Sequence, residues 1–185
     1  LSIEFISPEG LFFPDTYHYP FGTNALVLLK ISKTKMDQIL EEEWSNRNQN
    51  LTLTSKYESL VLASIIEKET ANPSERTMIS GVFSNRLLKG MRLQSDPTVI
   101  YGLGSSYKGN LKKIHLKQKT SYNTYTIRGL PPTPLAMPGK DSIRAALHPE
   151  TTDALYFVSM GNGSHVFSSS LKEHNRAVNR YQRKR

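Results

Sequence analysis

The stretch from Thr54 to Asp96, TSKYESLVLASIIEKETANPSERTMISGVFSNRLLKGMRLQSD, constrains this chain more than any other, because it reads as two consecutive helices joined by one tight turn. Ser55 followed three positions later by Glu58 is a capping-box pattern, so a helix begins there and runs through Leu60, Leu62, Ile65 and Ile66 to about Thr70. Asn72 closes that turn and caps the next helix, with Pro73 at its first position and Glu75 at its third. The second helix extends to about Lys89, carries Met78, Ile79, Val82, Phe83 and Leu87 as core, and stops at Gly90, a left-handed cap. At about 100° per residue, Glu69 falls on the stripe of Leu62, Ile65 and Ile66, whereas Glu67 points the other way. A carboxylate on an apolar face is costly as an anion, and desolvation lifts its pKa toward neutrality. Two roles fit such a residue: a partner for a buried arginine, Arg76 or Arg86, or a general acid/base.

The rest of the 185 residues reads as one α+β domain with a helical core and small hairpin elements, since no Pro/Gly/Ser-rich linker divides it. Ser2 to Ile6 and Thr16 to Tyr19 read as short strands, and Ala25 to about Trp44 as a scaffold helix with Leu26, Leu29, Ile31, Met36, Ile39 and Leu40 forming its apolar stripe. From Met91 to Tyr101, the polar side chains Gln94, Ser95, Asp96 and Tyr101 alternate with apolar ones in a way that suits a sugar. Asp96-Pro97 starts a short helix through Ile100, and Asp96 is either its cap or a second carboxylate of the site. Lys113 and His115 lie in a single helical turn spanning Leu111 to Leu116. Tyr122, Asn123 and Tyr125 combine stacking faces with hydrogen-bonding tips, either as a strand with outward tyrosines or as a pyranose site. Four prolines between Arg128 and Gly139 make a rigid loop, read as one wall of a cleft. A short helix from Asp141 or Ser142 to Leu147 follows, then strands over Ala154 to Met160 and His165 to Ser168 joined by GNGS, and a last helix capped by Ser169 or Ser170.

Composition narrows the chemistry. No cysteine is present, which excludes thiol nucleophiles, and the five histidines are scattered without paired helical spacing, so no metal site is expected. A net charge of +8 suits an anionic partner, whether nucleic acid, lipid or an acidic cell-wall polymer. No aromatic RNA-binding string or zinc-finger spacing supports nucleic acid. No glycine-rich phosphate loop is present, and no cofactor is expected.

Several strings carry more than spacing does. ASIIEKET at Ala63 to Thr70 is followed by SER at Ser74 to Arg76, NRL at Asn85 to Leu87 and GMRLQSDPTVIYG at Gly90 to Gly102. SYNTY at Ser121 to Tyr125, GLPP at Gly129 to Pro132, PG at Pro138 and HP at His148 come next in the same order. In these strings the chain resembles the endolytic murein transglycosylases, the YceG-like family. The resemblance implies an acid/base at Glu69 that cuts the bond between N-acetylmuramic acid and N-acetylglucosamine without water, leaving a 1,6-anhydro end. It also implies a substrate cleft in which Gln94, Tyr101, Tyr122, Asn123 and Tyr125 hold the glycan. Glu75, Arg86 and Asp96 are the charged residues available to orient Glu69 from behind it. A short cytoplasmic segment, one membrane helix and a LysM-like region are implied to precede Leu1, which would place the domain on the extracytoplasmic, periplasmic face of the bacterial inner membrane. Peptidoglycan strands are the implied substrate and peptidoglycan synthases the implied neighbours. Two rivals remain: a lysozyme-type hydrolase using Glu69 with Asp96, and a scaffold that grips glycan without cutting it.

Overall fold

A computed structural model describes residues 7–183, and they form seven α-helices and one two-stranded sheet, an α+β arrangement. The order is α1 (Ala25–Ser45), α2 (Lys56–Glu69), a 3-10 turn (Pro73–Glu75), α3 (Arg76–Leu88), α4 (Asp96–Leu103), α5 (Lys113–Lys117) and α6 (Lys140–Leu147), then β1 (Tyr156–Ser159), β2 (His165–Ser168) and α7 (Leu171–Tyr181).

Helix α2 is the axis of the molecule. Every residue from Ser59 to Ile66 is buried, because α1, α3, α4 and α6 each lie against a side of it. A helix enclosed on several sides needs no polar stripe, so the run LVLASII is apolar or small throughout. Ser64 is accommodated by donating its hydroxyl to the Val61 carbonyl and accepting the Leu135 N–H at 2.9 Å. Ile65, Ile66, Ile79, Phe83, Ile143 and Leu147 are fully enclosed and form the centre of the core. Each such side chain stabilises the fold by roughly 1.5–3 kcal/mol of hydrophobic transfer.

The local signals at the helix ends act as their chemistry dictates. Ser55 accepts the Glu58 N–H at 3.1 Å, while the Glu58 carboxylate reaches past Ser55 to Thr54, taking both its N–H and its hydroxyl. Asn72 caps the 3-10 turn by accepting the Ser74 N–H. Gly90 has φ 62°, the left-handed conformation expected at the end of α3. Ser170 and Glu173 form a reciprocal capping box on α7.

Elsewhere the fold corrects the sequence reading. Ser2–Ile6 lies outside the described residues, and Thr16–Tyr19 forms no strand among the described residues. Leu26, Leu29 and Ile31 are exposed, so the stripe of α1 is buried only from its middle onward, at Met36 and Ile39. Helix α4 runs three residues beyond Ile100. Residues 121–125 form turns, with neither a strand nor a row of outward tyrosines. The hairpin is shorter than expected, pairing Tyr156 with Ser168 and Ser159 with His165.

Candidate active site

Two carboxylates leave the C-terminal turn of α2 in different directions. Glu67 turns to the start of α6, where its Oε2 accepts the Gly139 N–H at 3.1 Å and the Ser142 hydroxyl at 2.6 Å, and Arg76 lies 3.8 Å from its Oε1. An anion at a helix N-terminus is favourably placed, so Glu67 fastens α6 to α2. Glu69, at the last residue of α2, lines a cavity of about 450 Å³ together with Gln94, Asp96 and Tyr125.

The surroundings of Glu69 favour the neutral acid. Burial is the main cause of a pKa raised to about 7; the Ser95 hydroxyl, donating to Oε1 at 2.5 Å, pulls it down, and the negative charge of Asp96 pushes it further up. Neither Arg76 nor Arg86 forms an ion pair with Glu69 among the described residues, so no arginine holds it as an anion. A carboxyl group that titrates near neutrality can give up a proton and take one back at working pH.

The loop that presents Ser95 and Asp96 is tightly fixed. The Ser95 N–H donates to Thr124 Oγ1 at 3.0 Å, the Gln94 N–H to the Thr124 carbonyl at 3.2 Å, and the Thr98 and Thr124 hydroxyls meet at 2.8 Å in the interior. Gln94 sits at φ 54°, a left-handed conformation that a non-glycine residue adopts only when its surroundings impose it. Arg86 is that imposition. Buried in α3, it donates to the carbonyls of Arg92 and Leu93 and to Gln94 Oε1 at 3.1 Å, with its Nε on the Leu155 carbonyl at 2.6 Å. Arg86 therefore acts on the site through Gln94 and has no direct contact with Glu69.

The other expected site residues divide. Tyr125 donates its hydroxyl to Asp96 Oδ1 at 2.6 Å, and burial followed by that bond raises its pKa well above the usual phenol value. Asp96 is the first residue of α4, and Ser95 is its N-cap; the Asp96 carboxylate takes the Tyr125 hydroxyl. Glu75 turns to His165, accepting its backbone N–H at 2.9 Å and meeting its ring Nδ1 at 2.7 Å. Asn123, Tyr122 and Tyr101 are not among the walls of the Glu69 cavity. Asn123 is buried, with Nδ2 donating to the carbonyls of His115, Leu116 and Gln118 and Oδ1 accepting the Tyr125 N–H, which shapes the turn that carries Tyr125. Tyr122 shares a hydrogen bond of 2.8 Å with Thr133 and packs on Tyr101 with ring centroids 4.8 Å apart. The proline loop likewise lines a separate concavity with Tyr57 and Val61, so it is not a wall of the Glu69 cavity.

Several residues around Glu69 carried no signal of their own in the sequence. Ser95 stood there as one polar residue among several, and His165 and His174 as isolated histidines; only the tertiary structure brings them to Glu69. A larger concavity, about 560 Å³, is lined largely by amides and hydroxyls such as Asn48, Asn50, Asn85 and Thr152 and offers no buried acid.

The fold and the site define a helical domain with a carboxyl group, raised toward neutrality, at a polar cavity. A profile of the YceG-like family matches residues 2–180, and the chain belongs to that family. It is 42% identical over 94% of its length to an endolytic murein transglycosylase of Bacillus subtilis strain 168, and 33% identical over 92% to one of Streptococcus pneumoniae D39. It spans 48% and 31% of those two proteins, half of their length or less. A crystal structure of a YceG-like protein from Listeria monocytogenes superposes with a TM-score of 0.80 at 37% identity, covering 92% of this chain and 55% of that one.

Proposed function

We propose that this domain is the catalytic unit of an endolytic murein transglycosylase, with Glu69 as its single acid/base. The observation that carries the proposal is a carboxyl group at a sugar-sized polar cavity whose pKa is raised to about 7 by burial. The Bacillus and Streptococcus relatives, both endolytic murein transglycosylases, support it. Protonated Glu69 gives its proton to the glycosidic oxygen linking N-acetylmuramic acid to N-acetylglucosamine, and the C1–O bond breaks with its electron pair leaving on that oxygen. The muramyl C1 becomes oxocarbenium-like. The Glu69 carboxylate then takes the proton of the C6 hydroxyl of the same sugar as O6 bonds to C1. Glu69 ends protonated, the product carries a 1,6-anhydro ring, and no water enters.

An internal nucleophile has a large effective concentration, so a second protein carboxylate is unnecessary as nucleophile. Asp96, tied to Tyr125, supplies negative charge near the developing cation. Gln94 and Tyr125 are the nearest glycan-binding side chains; Asn123 shapes the turn that carries Tyr125, and Tyr101 and Tyr122 pack on each other outside the cavity. The substrate is murein, so the domain works on the extracytoplasmic side, beside the synthases that lay down new strands, and is held there by a single-pass anchor in the full-length protein.

Digestion of purified sacculi tests this. The native domain releases muropeptides lighter by one water than those of a lysozyme, and Glu69→Gln releases none while keeping its helical circular dichroism. Hydrated products would make the domain a hydrolase using Glu69 with Asp96. Full activity in Glu69→Gln would remove the residue from the mechanism.

A further inference from the structure

The Glu69 cavity has a second group of wall residues, from β1, β2 and α7, that the acid–base chemistry does not use. Two are histidines whose rings are fixed. His165, the first residue of β2, is gripped by both oxygens of Glu75, and its ring stands edge-on to Phe157 at 5.5 Å and 88°. In the neutral ring, the proton on Nδ1 is donated to Glu75, which leaves Nε2 as a lone-pair acceptor. No described residue hydrogen-bonds that Nε2.

His174, on α7, stacks on Tyr156 with centroids 5.2 Å apart and planes at 25°. Its Nδ1 is buried and has no hydrogen-bond partner. Burial and the nearby charge of Arg86 hold its pKa below the ordinary histidine value, so the ring is neutral at pH 7. A proton on Nδ1 would be a buried donor with nothing to receive it, and orphaned buried N–H groups are rare. The proton therefore belongs on Nε2, which becomes a donor.

With neutral rings, one wall of the cavity thus offers an acceptor at His165 and a donor at His174. A secondary amide, which carries one N–H donor and one C=O acceptor on opposite edges of its plane, uses both. We infer that His165 and His174 are specificity residues that read an N-acetyl group of the glycan, with Glu75 as the positioning residue that fixes the His165 tautomer. The inference rests on the functional reading above, in which the substrate carries an acetamido group on every sugar.

The test uses the Glu69→Gln protein at pH 8 and measures its affinity for peptide-free murein glycan strands before and after chemical de-N-acetylation. The expected preference for acetylated strands is about tenfold or more, the scale of well-made hydrogen bonds to a buried site. His174→Phe keeps the stack on Tyr156 and removes the donor. Glu75→Gln keeps an acceptor for the His165 backbone N–H but turns an amide NH2 toward Nδ1, which forces Nε2 to become a donor. Each substitution, added to Glu69→Gln, is expected to cut the preference to about threefold or less while affinity for de-N-acetylated strands holds. An unchanged preference in both variants overturns the inference, as does an equal loss for both kinds of strand, which is what a purely structural contribution would give. If Glu69→Gln alone binds neither strand, the functional reading itself fails and this inference with it.

Discussion

Glu69 is a residue whose usefulness conflicts with its stability. Its native pKa is raised to about 7 from an ordinary value of 4.5, so the folded protein holds this proton more tightly than the unfolded chain does. That contribution to stability is complete below about pH 4.5 and is lost as the pH rises through about 7. Glu69→Gln, which cannot ionise, should therefore unfold at higher urea than the native protein at pH 8, by about 1–3 kcal/mol, and the gap should close at pH 5. Catalysis should follow the same proton. kcat/KM should fall on the alkaline side with an apparent pKa near 7. Ser95→Ala removes the bond that lowers that pKa, so the alkaline limb should move to higher pH while the maximal rate falls, as a pH–rate profile would show. Sequence periodicity alone brought Glu69 onto an apolar face, but it gave Ser95 and Asn123 no distinguishable roles. A serine donating to a catalytic carboxyl group and an asparagine satisfying three carbonyls look alike until the chain around them is closed.

At the scale of elements, the hydrogen bonds at the end of α2 decide how the site is framed. Glu67 anchors α6 through Gly139 and Ser142, so Glu67→Ala should lower stability by about 1–2 kcal/mol and leave the Glu69 pH profile in place, which separates anchoring from chemistry. Thr124→Val removes the hydroxyl that holds Ser95 and Thr98 in the interior. It should reduce kcat more than it reduces thermal stability, because the loop carrying Ser95 and Asp96 loses its register while the core remains; turnover and Tm measured on the same protein check this. The helices of the central pair were legible because caps and apolar runs are local signals. The turn at residues 121–126 was not, because its shape comes from Asn123 bonding to three carbonyls of the α5 region.

At the scale of the molecule, close approaches fix the arrangement of α3 against the chain leading to the hairpin. A Cβ at Gly81 would lie 2.5 Å from the Glu150 carbonyl oxygen, and Asn85 holds the carbonyls of Thr152 and Ala154. Gly81→Ala should cost about 1–3 kcal/mol in denaturant unfolding, the usual penalty of overpacking against backbone. It should also weaken activity by displacing the hairpin that carries His165. The sequence by itself determined the central helix pair, its caps, the apolar face with Glu69 at its end, and the family strings, because each depends on residues a few positions apart. Only the tertiary structure decided which polar groups gather around Glu69, Ser95 through a hydrogen bond and the others as walls of its cavity. Ser95, Asp96, Tyr125, His165 and His174 are separated from it by between 26 and 105 positions of chain, and long-range packing around α2 is what joins them.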